Sequence, residues 1–129
     1  MSTTKVVWAV DDSRSFRELA DQIALEADVA IMTMGIEELA LRRTTHDLPD
    51  GIMLDGSALH TPLAGAMLTD IPRIVICTAR NYEEVATDWA QSENVRILLK
   101  PMNLEKFESA IRWLAGAEDS SSWPTPQPN

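Results

Sequence analysis

Short apolar runs alternate along the chain with longer segments whose apolar residues recur every three or four positions. The runs are Lys5–Val10, Val29–Met34, Gly51–Leu54, Arg73–Cys77 and Val95–Leu99. Each is apolar almost throughout rather than at every second position, the pattern of a strand covered by helices on both faces. Enough chain separates successive runs for a crossover, so parallel pairing is predicted and no hairpin is needed. This alternation specifies the α/β class, with helices packed around a parallel sheet of five strands.

Between the first two runs, Phe16, Leu19, Ala20, Ile23 and Ala27 share one helical face. Ser15 and Glu18 have capping-box spacing, and Ser13 competes with Ser15 as the cap. A shorter second helix turns Ile36, Leu39 and Ala40 inward, and Leu48-Pro49-Asp50-Gly51 reads as a turn into the third strand. Tyr82, Val85, Ala86 and Trp89 mark a fourth helix. Leu104, Phe107, Ile111 and Leu114 mark a fifth, which Gly116 ends. The segment Gly56–Ile71 is the exception. Pro62 after Thr61 suits a helix start, but Gly65 and Pro72 leave about two turns, which predicts a shortened or irregular third helix. Residues 1–118 read as one domain, and residues 119–129, rich in Ser and Pro, as a mobile tail.

A length of 129 residues matches one ordinary domain. With 20 acidic residues against 11 basic ones the formal charge is −9, which opposes nucleic acid and anionic lipid as partners. Cys77 is the only cysteine, so no internal disulfide forms, and with His46 and His60 it has no zinc-ligand spacing. The apolar stretch Val6–Val10 is too short for a signal-peptide core or a membrane span. A soluble, cytoplasmic protein is the expectation.

In an open parallel sheet, groups available for chemistry lie at the carboxyl ends of the strands. Asp11 and Asp12 follow the first run, Asp55 the third, Thr78 the fourth and Lys100 the fifth. Carboxylates gathered on one rim repel one another unless a cation joins them. Oxygen ligands without His or Cys favour Mg²⁺, which binds one or two carboxylates together with a phosphate oxygen. A carboxylate beside such a metal can attack phosphorus and form an aspartyl phosphate. Lys100 would then neutralise a phosphoryl oxygen and the Thr78 hydroxyl would donate to another.

These stretches resemble the receiver domain of two-component response regulators, the CheY-like family. The matching segments are Val6-Val7-Trp8-Ala9-Val10-Asp11-Asp12-Ser13, Pro49-Asp50-Gly51-Ile52-Met53-Leu54-Asp55, Ile74-Val75-Ile76-Cys77-Thr78-Ala79 and Ile97-Leu98-Leu99-Lys100-Pro101. Each motif alone is weak, whereas four in order at four successive strand ends are specific. The resemblance covers residues 5–116 and implies a flavodoxin-like sheet of order 2-1-3-4-5. It implies that Asp55 accepts a phosphoryl group from a histidine kinase or a histidine phosphotransfer protein. It assigns Mg²⁺ to Asp11, Asp12, Asp55 and the backbone carbonyl of Ser57, switching to Thr78, and pairing with the phosphoryl group to Lys100. It also implies a cis Lys100-Pro101 bond, and an output protein docked on the face of the fourth helix, fifth strand and fifth helix.

Two departures from the family stand out. Thr78 follows Asp55 by only 23 residues, several fewer than in receivers, and the deficit falls in the third-helix segment. The Met-Pro usual soon after the phosphorylated aspartate is absent. Ile97 also occupies the place where many receivers carry Tyr or Phe, so the familiar inward swing of an aromatic ring has no counterpart here.

Plainer roles stand beside the chemical ones. Asp11 and Asp12 suit helix caps, Cys77 a small buried hydrophobe rather than a redox sensor, and His46 and His60 surface positions. Trp8 and Trp89 read as core and Trp123 as a tail residue. Trp113 lies about 140° from the centre of the Leu104–Leu114 stripe, which predicts either an exposed partner anchor or a partly covered side chain. The leading reading is a stand-alone phosphoacceptor receiver, not an enzyme in the ordinary sense, that signals by protein–protein interaction. The alternative is a degenerate receiver acting as a constitutive scaffold. An Mg²⁺-dependent aspartyl-phosphate phosphatase is disfavoured, because Asp11-Asp12-Ser13 lacks the Asp-x-Asp pattern and the chain has little room for a cap domain.

Overall fold

The computed structural model describes residues 5–45, 48–56, 70–78, 94–100 and 103–116. These form β1 (Val6–Val10), α1 (Arg14–Ala27), β2 (Ala30–Met34), α2 (Ile36–Thr45), β3 (Gly51–Asp55), β4 (Arg73–Thr78), β5 (Val95–Leu99) and α3 (Leu104–Leu114). All four strand pairings are parallel, and the order across the sheet is β2-β1-β3-β4-β5. The five apolar runs are the five strands, in the predicted order. The fourth helix, most of Gly56–Ile71, the tail with Trp123, both histidines, Ser57 and Pro101 with the cis bond expected before it lie outside the described residues.

Two apolar layers hold the helices to the sheet, and strand alternation separates them. Trp8, Val10, Ile52, Leu54, Ile74, Ile76 and Ile97 face one side, where Leu39 and Ile36 of α2 pack. Val7, Ala9, Met53, Val75, Cys77 and Leu98 face the other, against Ala20 and Ile23 of α1 and Phe107, Ile111 and Leu114 of α3. Trp8 is thus a core residue, as its strand predicts. Gly51 permits a close approach of α3 to the sheet, since a Cβ there would lie 2.5 Å from the Leu114 carbonyl oxygen.

Helix ends follow local chemistry. Ser13, not Ser15, caps α1, its hydroxyl accepting the Phe16 N–H at 3.3 Å. Asp28 ends that helix in the left-handed region at φ 58°, a conformation that Asp tolerates better than most residues. Asn103 caps α3 by accepting the Lys106 N–H at 2.8 Å, and Gly116, at φ 106°, closes it as expected.

The last helix corrects two expectations. Leu104, placed on the inward stripe, is 63% exposed, whereas Trp113, placed well off it, is 5% exposed. The buried face is therefore Phe107, Ala110, Ile111, Trp113 and Leu114. The Trp113 ring has the guanidinium carbons of Arg73 and Arg96 at 5.1 and 5.2 Å from its centroid, and Arg73 donates to the Trp113 carbonyl. Trp113 is no exposed anchor for an output protein.

Candidate functional site

Register brings the polar strand ends together. Val10 pairs with Leu54, which sets Asp11 beside Asp55, and Asp55 pairs with Cys77, which sets Gly56 beside Thr78. Thr78 pairs with Leu99, and the Lys100 N–H donates to the Thr78 carbonyl at 2.8 Å. Alternation then sorts the side chains. Asp11, Asp55 and Lys100 continue the parity of Ala9, Met53 and Leu98, toward α1 and α3. Asp12 continues the parity of Val10, toward α2.

The contacts follow that sorting. The Lys100 ammonium donates to Asp11 Oδ2 at 2.8 Å and to Asp55 Oδ1 at 2.8 Å, bridging two carboxylates from neighbouring strands. Asp11 is buried, and its Oδ1 accepts the Ser13 N–H at 2.8 Å, which ties the carboxylate to the α1 cap. Burial works against the charge on Lys100, yet the hydrogen bonds to Asp11 and Asp55 outweigh it and raise its pKa above the ordinary lysine value. Asp12 is exposed and engaged elsewhere, its Oδ1 accepting the Ile36 N–H at 2.9 Å. Among the described residues no three carboxylate, imidazole or thiolate side chains gather closely enough to hold a metal ion. Of the three aspartates in the expected set, Asp11 and Asp55 share Lys100 and Asp12 bonds to α2 instead.

Thr78 is buried at the same rim, and a Cβ on Gly56 would lie 3.0 Å from its Oγ1. Cys77, the register partner of Asp55 on β4, is fully buried. Burial pushes its thiol far above the usual range, with Lys100 opposing part of that shift, and it packs as a small apolar side chain against the α1 and α3 layer.

Two participants were not legible as site residues. Arg17 donates to the Asp11 carbonyl at 2.8 Å, bracing the β1 end from the first turn of α1. Phe16, read only as a core residue of α1, places its ring centroid 5.1 Å from Lys100 Nζ. An arginine one helical turn beyond a strand-end aspartate was the available signal for the first. The second joins residues 84 positions apart, and no local pattern reports it.

No family model matches this chain, and no curated protein does. Solved structures do. A chemotaxis response regulator of Vibrio cholerae shares 21% identity at a TM-score of 0.65, covering 87% of this chain and 99% of that one. A response regulator receiver protein from Sinorhizobium medicae shares 16% identity at a TM-score of 0.69, covering 88% of this chain and 96% of that one. A response regulator from Thermotoga maritima shares 14% identity at a TM-score of 0.67, covering 89% and 100%. With its order β2-β1-β3-β4-β5 and its carboxylate-lined rim, the chain has the fold of the response-regulator receiver domain.

Proposed function

We propose that this chain is a phosphoacceptor receiver of a two-component relay, taking a phosphoryl group on Asp55 from a histidine kinase or a histidine phosphotransfer protein. One observation carries the reading: the Lys100 ammonium bridges Asp11 and Asp55 at 2.8 Å each, at the carboxyl edge of the sheet. A cation held between two carboxylates offsets their mutual repulsion and supplies a positive partner for a phosphoryl oxygen. In the transfer, an Asp55 carboxylate oxygen attacks phosphorus. The new O–P bond forms as the donor's P–N bond breaks, and the released imidazole takes its proton from water. The buried Thr78 hydroxyl and the Lys100 ammonium then meet the phosphoryl oxygens.

The donor set fits Mg²⁺ in chemistry, being all oxygen, and the ammonium between Asp11 and Asp55 occupies a position suited to a cation. Asp11, Asp12, Asp55 and the Ser57 carbonyl would hold the ion, with Asp12 giving up its bond to Ile36. When bound, a divalent cation neutralises phosphoryl charge and orients the attacked phosphorus. The output is a protein–protein contact. Among the described residues no helix is long and apolar enough to cross a membrane.

A second reading, a receiver fold used as a constitutive interaction scaffold, is favoured by Asp12 standing apart from the other two carboxylates. Intact-mass spectrometry after incubation with acetyl phosphate separates the two. The phosphoacceptor reading expects one added phosphoryl group only when Mg²⁺ is present, and a chain that stays unmodified supports the scaffold.

A further inference from the structure

The Lys100 ammonium has three N–H donors, and Asp11 and Asp55 take two of them at 2.8 Å. The face of Phe16 covers another side of the same ammonium, with the ring centroid 5.1 Å from Nζ. Position and packing both fix that ring. The Phe16 N–H donates to the Ser13 hydroxyl that caps α1, and the Ser13 N–H donates to Asp11 Oδ1. The ring packs at 5.0 Å, tilted by 37°, on Phe107 of α3, which is buried. A closed circuit results: Asp11 holds Ser13, Ser13 holds Phe16, Phe16 faces Lys100, and Lys100 returns to Asp11.

A lysine side chain has four rotatable carbons and little intrinsic preference for one end point. Two carboxylates fix its charge partners, yet leave the stem free to swing outward with water replacing the bond to either. An aromatic face held by two helices removes that freedom, and its negative quadrupole attracts the ammonium. We propose that Phe16 is a positioning residue for Lys100, restricting its ammonium to the point between Asp11 and Asp55 where an incoming phosphoryl oxygen is met. This rests on the phosphoacceptor reading for its consequence and on the ring contact for its geometry.

The test compares the full chain with Phe16→Leu, which keeps apolar volume without a ring face, and Phe16→Tyr, which keeps the face. The first readout is NMR of lysine labelled at Cε, without metal or phosphodonor. The Lys100 Hε protons should be shifted upfield by the ring in the parent chain and in Phe16→Tyr, and should return to ordinary lysine positions in Phe16→Leu. The second is the initial rate of phosphorylation by acetyl phosphate with Mg²⁺. Phe16→Leu should be about three- to tenfold slower, the size of a partly desolvated cation–π contact, and Phe16→Tyr should recover the rate. Ordinary Lys100 shifts in the parent chain overturn the proposal, as does an unchanged rate in Phe16→Leu despite loss of the ring shift. A parent chain that accepts no phosphate while showing the ring shift overturns the phosphoacceptor reading instead. In that case, unchanged Lys100 side-chain relaxation in Phe16→Leu overturns the positioning role, and faster relaxation supports it.

Discussion

Asp12 Oδ1 accepts the Ile36 backbone N–H at 2.9 Å, so a residue at the end of β1 supplies the cap that α2 lacks. The residue preceding that helix is Gly35, which has no side-chain oxygen to offer, and a Cβ there would lie 3.1 Å from the same Asp12 oxygen. Strand alternation forces this division, since adjacent aspartates leave β1 toward opposite faces and only Asp11 joins Asp55 and Lys100.

Removing the Asp12 carboxylate should therefore have two separable effects. Asp12→Ala should lower stability by about 1 kcal/mol through loss of the cap and should abolish Mg²⁺ binding. Asp12→Asn keeps an acceptor for Ile36, so it should hold stability while weakening Mg²⁺. Urea unfolding and metal titration check the pair, and normal Mg²⁺ affinity in Asp12→Ala would remove this residue from the metal set.

Lys100 gives the site an alkaline limit. Its folded pKa is raised above 10.5, so its contribution to stability is complete below that value and is lost as pH rises through the folded pKa. Lys100→Met leaves Asp11 and Asp55 facing each other across the rim and should destabilise the fold by about 2 kcal/mol at neutral pH. The same variant should respond more strongly to Mg²⁺ than the parent, because a second cation relieves the repulsion. Thermal melts from pH 7 to 11, with and without Mg²⁺, test both signs.

Gly56→Ala should injure the chemistry more than the fold. The new methyl would meet Thr78 Oγ1 at 3.0 Å and Thr78 Cβ at 3.1 Å, so the threonine must shift by a few tenths of an ångström. Phosphorylation by acetyl phosphate should slow, with a melting temperature close to that of the parent. Gly51→Ala is the contrasting control, since its methyl would meet backbone of α3 and should destabilise the domain without touching the rim.

Trp113 is a structural residue and should behave as one. Trp113→Ala should cost about 3–5 kcal/mol, the range for emptying a large buried aromatic site. Arg73→Met, which removes the donor to the Trp113 carbonyl and one guanidinium from the ring, should cost about 1 kcal/mol. A Trp113→Ala variant as stable as the parent in urea would contradict its placement.

The five strands were legible because short, nearly continuous apolar runs, bounded by turn residues and separated by segments of helical period, mark the strands of a parallel sheet. Asp11, Asp55, Thr78 and Lys100 were legible for a related reason: a polar residue directly after such a run stands at the sheet edge. Trp113 was not, because the stripe was read from Leu104, Phe107, Ile111 and Leu114 alone, whereas Leu104 is exposed and buried Ala110 carries the apolar face round toward Trp113. Its burial depends on Arg73 and Arg96, polar residues inside strands whose purpose no periodicity reveals. Which of Asp11 and Asp12 meets Lys100 depended on strand parity, and Phe16 on a contact across the whole chain.

The central claim is that the carboxylate of Asp55 is the nucleophile, and locating the acyl phosphate tests it most directly. After incubation with Mg²⁺ and acetyl phosphate, borohydride reduces an aspartyl phosphate to homoserine, which peptide mass spectrometry places in the sequence. Homoserine is expected in place of Asp55 alone, dependent on Mg²⁺, with no conversion in Asp55→Asn. Conversion at Asp11 or Asp12, or none anywhere in the parent chain, would contradict the claim.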